Sequence, residues 1–208
     1  MLSANGVSFA YSDGHPVVDE LSFEVDAGAA LVVGDNGAGK STLGRLLCGL
    51  LRPASGTVTI DGRDVHACDG LARYALAAYM PQRTQSYLLW STVRDEVRFA
   101  LRHLPLRRDE RDALAQRTFD RYALPDVLDR NPADLSFSEA WRLVFCLCVL
   151  ARPALLYVDE SLTFSSRLAQ RLFTDTLRER AAAGLVTIVT VHRPVAYLEP
   201  FVQQVIRL

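Results

Sequence analysis

The stretch LVVGDNGAGKSTLGRLLCGLL, residues 31–51, contains a short apolar run, a glycine-rich segment and leucines at helical spacing. Its middle part, residues 34–41, matches GxxxxGK[ST], the pattern of a phosphate-binding loop. The flanking residues supply the strand and the helix that this pattern needs, so a chance glycine turn explains it poorly. The stretch therefore predicts a nucleotide site between a buried strand and a helix.

Five positions of this loop have residue types that suit the binding of phosphates. Gly34, Gly37 and Gly39 can adopt conformations in which backbone N–H groups point at phosphates. A helix beginning near Lys40 adds about +0.5 of an elementary charge at its N-terminus. We expect Lys40 to reach the β- and γ-phosphates and Ser41 to bind Mg²⁺.

The segments around the loop predict an α/β fold. Continuous apolar runs alternate with helical patterns, which is typical of a mainly parallel sheet covered on both faces. The strand-like runs lie at residues 21–25, 29–34, 56–62, 154–160 and 186–192, and residues 165–183 have amphipathic helical spacing.

The pattern over residues 69–150 is helical, with Pro105, Pro125 and Pro132 as breakers. It lies between segments that belong to the core. We therefore predict one domain over residues 1–208, with an inserted α-helical subdomain over residues 69–150 that ends in an apolar helix.

Two adjacent carboxylates end the run LLYVDE, residues 155–160. Ligands of open parallel sheets bind at the carboxyl ends of strands. Asp159 therefore suits a Mg²⁺ shell, and Glu160 suits polarising an attacking water molecule. Without the phosphate loop upstream, an ordinary acidic strand end would explain both residues equally well.

Three further residues carry little information alone. His192 follows an apolar run, where a lone histidine is more often structural. Gln82 precedes an expected turn in YMPQ, and Tyr11 either offers its ring to adenine or packs in the core.

Composition excludes several classes of protein. The chain has 208 residues, half of them hydrophobic, and a net charge of −1 with interleaved signs, which argues against a nucleic-acid partner. Its four cysteines lack metal-ligand spacing, so we expect buried, reduced thiols. The start shows no secretory signal, and no run is long enough to span a bilayer, so any membrane association requires another chain.

Taken together, these motifs resemble the nucleotide-binding subunit of an ATP-binding-cassette (ABC) transporter. The resemblance runs nearly end to end, and residues 82–101 also look like the corresponding stretch of energy-coupling-factor (ECF) transporter ATPases. It implies an N-terminal antiparallel β part in the fold, with ATP and Mg²⁺ as ligands. By the resemblance, ATP contacts Tyr11, Gly34, Asn36, Gly37, Ala38, Gly39, Lys40, Ser41 and Thr42; Mg²⁺ binds Ser41, Gln82 and Asp159; and Glu160, His192 and Gln82 serve catalysis.

The resemblance also implies partners. Two cassettes pair head to tail, so that each ATP lies between the phosphate loop of one chain and the signature motif of the other. Closure and opening of the pair drive a membrane permease, which docks near Gln82. The expected location is the cytoplasmic face of the cell membrane, held there by partner subunits.

The signature position departs from the family pattern. LSFSE, residues 135–139, stands where the family has LSGGQ; Ser136 is kept, Phe137 and Ser138 replace glycines, and Glu139 replaces glutamine. A ring and Cβ atoms then enter a place of close backbone approach, and a carboxylate is expected to face the partner's polyphosphate. In DESLTFSS, residues 159–166, Ser166 also replaces the usual aspartate.

The departures cluster in parts that the chain lends to its partner, whereas residues for its own ATP are intact. We therefore expect an asymmetric pair with a second ABC ATPase whose signature is intact; the alternative is a slow homodimer. The leading function is an ATP-hydrolysing transport subunit. Alternatives are a nucleotide-gated regulatory or assembly subunit with little hydrolysis, and a DNA-repair or translation cassette, which would usually carry coiled-coil insertions or a second cassette.

Overall fold

A computed structural model describes residues 1–12, 14–102, 104–124, 126–161, 166–193 and 195–208, without the side chain of Leu71. The strands are β1 (Leu2–Ala10), β2 (Pro16–Val25), β3 (Gly28–Val33), β4 (Ser55–Ile60), β5 (Arg63–Asp64), β6 (Ala77–Met80), β7 (Leu155–Val158), β8 (Val186–Val191) and β9 (Val202–Arg207). The α-helices are α1 (Lys40–Leu47), α2 (Gly70–Leu76), α3 (Val93–Leu101), α4 (Arg108–Arg121), α5 (Phe137–Leu150) and α6 (Arg167–Ala182). Short 3₁₀ turns lie at Thr84–Tyr87, Pro132–Asp134 and Glu199–Phe201.

The strands form two sheets. The first is antiparallel with the order β2-β1-β4-β5, which confirms the antiparallel part expected near the N-terminus. The second has the order β6-β7-β8-β3-β9, and all its neighbouring strands run parallel. The α/β fold predicted from the sequence is therefore confirmed.

Strand β3 shows why the parallel sheet is covered on both faces. Leu31 packs in a core with helices α3, α5 and α6, whereas Ala30 and Val32 pack with α1 and the antiparallel sheet. Successive side chains of a strand point to opposite faces, so a run of apolar residues is what two cores require. The end of β3 and the loop that follows it therefore lie between the two cores.

The helices begin where the sequence offers caps. Thr92 accepts a hydrogen bond from the backbone of Asp95 at the start of α3, and Ser166 accepts one from Ala169 at the start of α6. Each such cap contributes about 1 kcal/mol, because it satisfies a backbone N–H that the helix leaves unpaired.

The prediction of a helical pattern throughout residues 69–150 is wrong at one place. Residues 77–80 form β6, an edge strand of the parallel sheet that pairs in register with β7. The stretch AAYM is apolar and short, so its pattern does not distinguish a strand from a helical turn, and pairing with β7 decides it. The helices that follow β6 share one core with the parallel sheet. A single domain with an inserted subdomain stays a prediction.

The cysteines are free, and the prediction of burial holds for three of them. Cys48, Cys146 and Cys148 are buried, whereas Cys68 is partly exposed. Burial raises the pKa of the Cys148 thiol to about 12, which keeps it protonated at neutral pH. Among the described residues, no helix combines the length and the apolar character needed to cross a bilayer.

Candidate functional site

A cavity of about 380 Å³ opens between the loop after β3, the start of α1 and the end of β7. It collects most of the predicted nucleotide residues from distant parts of the chain. Its lining consists of Tyr11, Val17, Asn36, Gly37, Gly39, Lys40, Ser41, Thr42, Gln82 and Glu160.

The phosphate loop has the backbone that its sequence predicts. Gly37 and Gly39 have φ angles of 83° and 91°, in the region that glycine adopts without strain. A Cβ at Gly39 would lie 2.7 Å from the carbonyl oxygen of Val17, so space also demands glycine there. Helix α1 begins at Lys40 and directs its positive end at the cavity. This arrangement suits an anionic phosphate chain.

Lys40 is the buried cation of the site, with only 4% of its surface exposed. Its Nζ donates to the carbonyl oxygens of Gly34 and Asp35, at 2.6 and 2.7 Å. It also forms an ion pair with Glu160, 2.9 Å from Oε1. The ammonium group is thus fully partnered within the chain, and binding of phosphates requires it to exchange at least one partner.

Glu160 is the residue on which the predicted catalytic groups converge. Besides Lys40, its carboxylate accepts a hydrogen bond from Gln82 Nε2 at 3.0 Å and lies 3.2 Å from His192 Nε2. Its φ angle is 45°, a strained value for a residue with a side chain, and such strain is often concentrated at functional sites. Its backbone N–H donates to Thr190 Oγ1 at 2.7 Å, which fixes the strained turn.

Asp159 is buried, with 2% of its surface exposed. Its two oxygens accept hydrogen bonds from Tyr79, at 2.6 Å, and Thr190, at 3.1 Å. Burial raises the pKa of Tyr79 well above its usual range, and the bond to Asp159 adds to this. The phenol therefore remains a neutral donor to Asp159 at physiological pH.

Tyr79 and Thr190 were not predicted from the sequence. Tyr79 lies three residues before Gln82, and Thr190 lies two before His192, each on the strand that precedes a predicted site residue. A polar group close to the end of a mostly apolar strand is the signal that could have drawn attention to them.

Tyr11 lies at the rim of the cavity, and 42% of its surface is exposed. Its hydroxyl group is 3.2 Å from Thr42 Oγ1, and its ring meets the edge of Phe9 at a centroid distance of 4.9 Å. The ring is therefore held at the rim rather than buried in the core.

The signature stretch forms the start of α5. Ser136 and Glu139 make a capping box: the Glu139 backbone donates to Ser136 Oγ, and the Ser136 backbone donates to Glu139 Oε2. The other carboxylate oxygen accepts a bond of 3.0 Å from Arg130. The hydrogen bonds from Ser136 lower the pKa of Glu139, and the charge of Arg130 adds to this.

This geometry shows how the charge of Glu139 is held, while its effect on a partner's nucleotide stays a prediction. Its charge is bound by Ser136 and Arg130 of its own chain rather than presented free at the helix tip. Phe137, in contrast, is exposed by 49%, and Ser138 Oγ lies 3.3 Å from Ser166 Oγ. Among the described residues, the cavity lining includes none of the four signature residues, and residues 162–165 of the DESLTFSS stretch lie outside the described part.

The fold and the cavity define an α/β nucleotide-binding protein with a phosphate loop, two carboxylates at the end of a core strand, and a second, antiparallel sheet. The family model for ABC transporters matches residues 18–163, which is more than half of the chain. The chain thus belongs to the ABC transporter family and is an ATP-binding-cassette ATPase.

Two curated relatives illustrate the sequence similarity. A putative ABC transporter ATP-binding protein of Pyrococcus furiosus is 29% identical over 192 residues, covering 92% of this chain and 74% of that protein. The energy-coupling factor transporter ATP-binding protein EcfA1 of Enterococcus faecalis is 29% identical over 164 residues. That alignment covers 77% of this chain and 59% of the EcfA1 chain.

Solved structures share the fold. An ATP-binding subunit of an ABC transporter superposes with a TM-score of 0.88 at 24% identity, covering all of this chain and 85% of the other. CbiO1 of Clostridium perfringens, part of the ABC transporter complex cbiONQ, superposes with a TM-score of 0.76 at 21% identity. The match to cbiO1 covers 92% of this chain and 78% of that one.

Proposed function

We propose that this chain binds Mg²⁺-ATP in the cavity beside α1 and hydrolyses it with Glu160 as the general base, in order to power a membrane permease. The observation that carries the proposal is the convergence of Lys40, Gln82 and His192 on the Glu160 carboxylate. The Lys40 ammonium, the Gln82 amide and the His192 imidazole can hold the Glu160 carboxylate in place until the phosphates of a nucleotide attract Lys40 away from it.

The ion pair between Lys40 and Glu160 suggests how binding and catalysis are coupled. When phosphates replace the carboxylate as the partner of Lys40, Glu160 loses its strongest electrostatic restraint. The carboxylate is then free to accept a proton from a water molecule. His192 and Gln82 remain within hydrogen-bond distance and orient it.

The residues present suit Mg²⁺. Ser41, Gln82 and Asp159 offer hydroxyl, amide and carboxylate oxygens, and Mg²⁺ is bound by few protein oxygens together with substrate phosphates. We propose these three as the residues that hold the ion; it would neutralise charge that develops on the phosphates. The burial of Asp159, whose two oxygens accept hydrogen bonds from the neutral hydroxyl groups of Tyr79 and Thr190, supports this placement.

We propose an asymmetric pair with a second ABC chain that has an intact signature. Steric crowding at the signature supports this pairing more than charge repulsion does, because Arg130 and Ser136 bind the Glu139 charge. What remains is the exposed ring of Phe137 and the Cβ of Ser138 at the first residues of α5, where the family has glycines. A homodimer would receive this altered motif at both sites and turn over slowly.

An exposed aromatic patch favours a permease partner. An exposed set of apolar residues, which we call the aromatic patch, runs from the 3₁₀ turn after Gln82 through the following loop to α3. It consists of Tyr87, Leu89, Trp90 and Phe99, with the Trp90 and Phe99 rings 5.5 Å apart. Buried Glu96 accepts hydrogen bonds from the backbones of Leu89 and Trp90 and so fixes the loop. Exposed apolar patches of this kind mark interaction sites. We propose that a cytoplasmic segment of the permease binds here and holds the chain at the membrane.

The similarity to EcfA1 proteins and to cbiO1 supports a transport role of the ECF type. The second candidate is a regulatory subunit that binds ATP with little hydrolysis, and the altered signature is the observation that favours it.

The Glu160→Gln variant tests the proposed function, because it keeps the shape but removes the basic carboxylate. We expect near-parental ATP binding and turnover lower by about 10²–10⁴-fold, measured in whichever pairing gives parental activity. Glu24→Gln, the same change at an exposed position of β2, is the control and should keep parental turnover. Parental turnover in Glu160→Gln would remove the residue from its role, and absent turnover in every parental pairing would favour the regulatory subunit.

A further inference from the structure

Two tyrosines lie side by side beneath the nucleotide cavity. Tyr79 on β6 and Tyr157 on β7 are directly paired in the parallel register, and their rings stack at a centroid distance of 5.9 Å with an interplanar angle of 20°. Both side chains are buried. Buried hydroxyl groups need partners, and these two have different ones, the Asp159 carboxylate and the backbone of Lys40.

The hydroxyl of Tyr79 reaches the side of the site proposed for the metal. It donates to Asp159 Oδ2 at 2.6 Å. Thr190 donates to the other oxygen of Asp159, so each carboxylate oxygen accepts from one neutral donor. Tyr79 and Thr190 together thus hold a carboxylate that is proposed to bind Mg²⁺.

The hydroxyl of Tyr157 reaches the phosphate loop instead. It donates to the backbone carbonyl of Lys40 at 2.6 Å and so ties the first turn of α1 to β7. The ring fits only because residue 44 is glycine: a Cβ added there would lie 2.5 Å from Tyr157 Cδ1. Glycine inside a helix lowers its stability, which indicates that the close contact with the ring, rather than helix formation, accounts for Gly44.

We propose that Tyr79 is a positioning residue for the Mg²⁺ of the bound nucleotide, acting through Asp159, while Tyr157 positions the phosphate loop independently of the metal. This inference rests on the proposed Mg²⁺ site. The stacked rings place the two hydroxyl groups side by side, and because each hydroxyl has a different partner, we expect the two groups to have different effects. Groups that hold metal ligands in place through hydrogen bonds commonly change metal affinity 10- to 100-fold when removed.

The test compares Tyr79→Phe with Tyr157→Phe, which remove one oxygen each and keep both rings. Binding of a fluorescent, non-hydrolysable ATP analogue is measured in EDTA and at increasing Mg²⁺ concentrations. We expect Tyr79→Phe to raise the Mg²⁺ concentration for half-maximal effect by roughly tenfold while affinity in EDTA stays within about twofold of the parent. Tyr157→Phe should weaken binding equally with and without Mg²⁺ and leave the half-maximal Mg²⁺ concentration unchanged.

Manganese provides a second measurement that does not depend on turnover. The electron paramagnetic resonance signal of bound Mn²⁺ with the analogue should change in Tyr79→Phe and match the parent in Tyr157→Phe. Equal Mg²⁺ dependence in the two variants, or a parental value in Tyr79→Phe, would overturn the inference while the proposed metal site stands. A parental chain whose nucleotide binding ignores Mg²⁺ would overturn both.

Discussion

At the scale of single residues, the ion pair between Lys40 and Glu160 is the contact that gives the cavity its chemistry. The two groups are 2.9 Å apart and both are largely shielded from water, so each compensates the burial cost of the other. A site of this kind stays electrically balanced without nucleotide, and in the proposed mechanism the phosphates of ATP take the place of the Glu160 carboxylate as the partner of Lys40.

Lys40→Ala should weaken nucleotide binding by about 10- to 100-fold, because hydrogen bonds to a charged donor are worth about 1.5–3 kcal/mol and 1.4 kcal/mol is tenfold. Arg45→Ala, which removes a cation from an exposed position of the same helix, is the matched control and should bind as the parent does. Calorimetric titration with ATP measures both. Unchanged affinity in Lys40→Ala would contradict the assignment of the phosphate loop.

At the scale of elements, helix α1 combines a binding role with an unusual packing contact. Its buried leucines, Leu43, Leu46 and Leu47, have the spacing of one helical face. Gly44 lies among them, and only the tertiary contact with Tyr157 explains it.

Gly44→Ala should lower the free energy of unfolding by about 1–3 kcal/mol through overpacking against Tyr157, although alanine favours a helix by about 1 kcal/mol. Gly70→Ala at the start of α2, where an added Cβ meets nothing within 4 Å, should not destabilise. Urea unfolding measures the difference. Leucine in place of Tyr157 leaves room for the methyl group, so Gly44→Ala should cost much less stability in a Tyr157→Leu background than in the parent; an additive double variant would contradict the contact.

The start of α5 should make stability depend on pH. The folded-state pKa of Glu139 is lowered from its ordinary value of 4.5, so its contribution is fully present above that pH and is lost as the pH falls below it. Glu139→Gln and Ser136→Ala should therefore both show a smaller loss of thermal stability than the parent on acidification below 4.5. Melting curves across that range check this. A parental pH slope in both variants would show that the capping box contributes nothing.

At the scale of the whole molecule, the residues predicted for the chain's own nucleotide match the family pattern, whereas the signature motif departs from it. Most of the predicted nucleotide residues line one cavity, and the motif proposed for the partner's nucleotide begins α5. The aromatic patch beside Gln82 provides a third surface, on which we place the permease. We therefore propose that the active complex contains this chain, a second ABC chain and a permease.

Phe137→Gly combined with Ser138→Gly should raise ATP turnover of the purified chain, since both sites of a homodimer then receive a motif without the ring and the Cβ. Glu139→Gln alone should raise turnover less, because Arg130 and Ser136 already bind its charge. The glycines should also cost up to about 1 kcal/mol each in helix stability, so a lower melting temperature accompanies the gain. Phosphate release assays measure turnover. Brisk turnover by the parental homodimer would contradict the asymmetric pair.

The sequence by itself determined the phosphate loop, the α/β alternation and the carboxylates of residues 159 and 160. Local spacing carries that information: a glycine loop before a helix and acidic residues after an apolar run have the same meaning wherever they occur. Burial of β3 on both faces follows from the same kind of pattern.

Only the tertiary structure decided that residues 77–80 form a strand, that Glu139 is bound by Arg130, and that Tyr79 and Tyr157 lie beneath the site. Each of these depends on a partner that the local sequence pattern does not identify. Asp159, for example, lies 80 positions after Tyr79. A short apolar run, a carboxylate or a tyrosine has no local periodicity that names such a partner, because it is chosen by the packing of the sheets and helices around it.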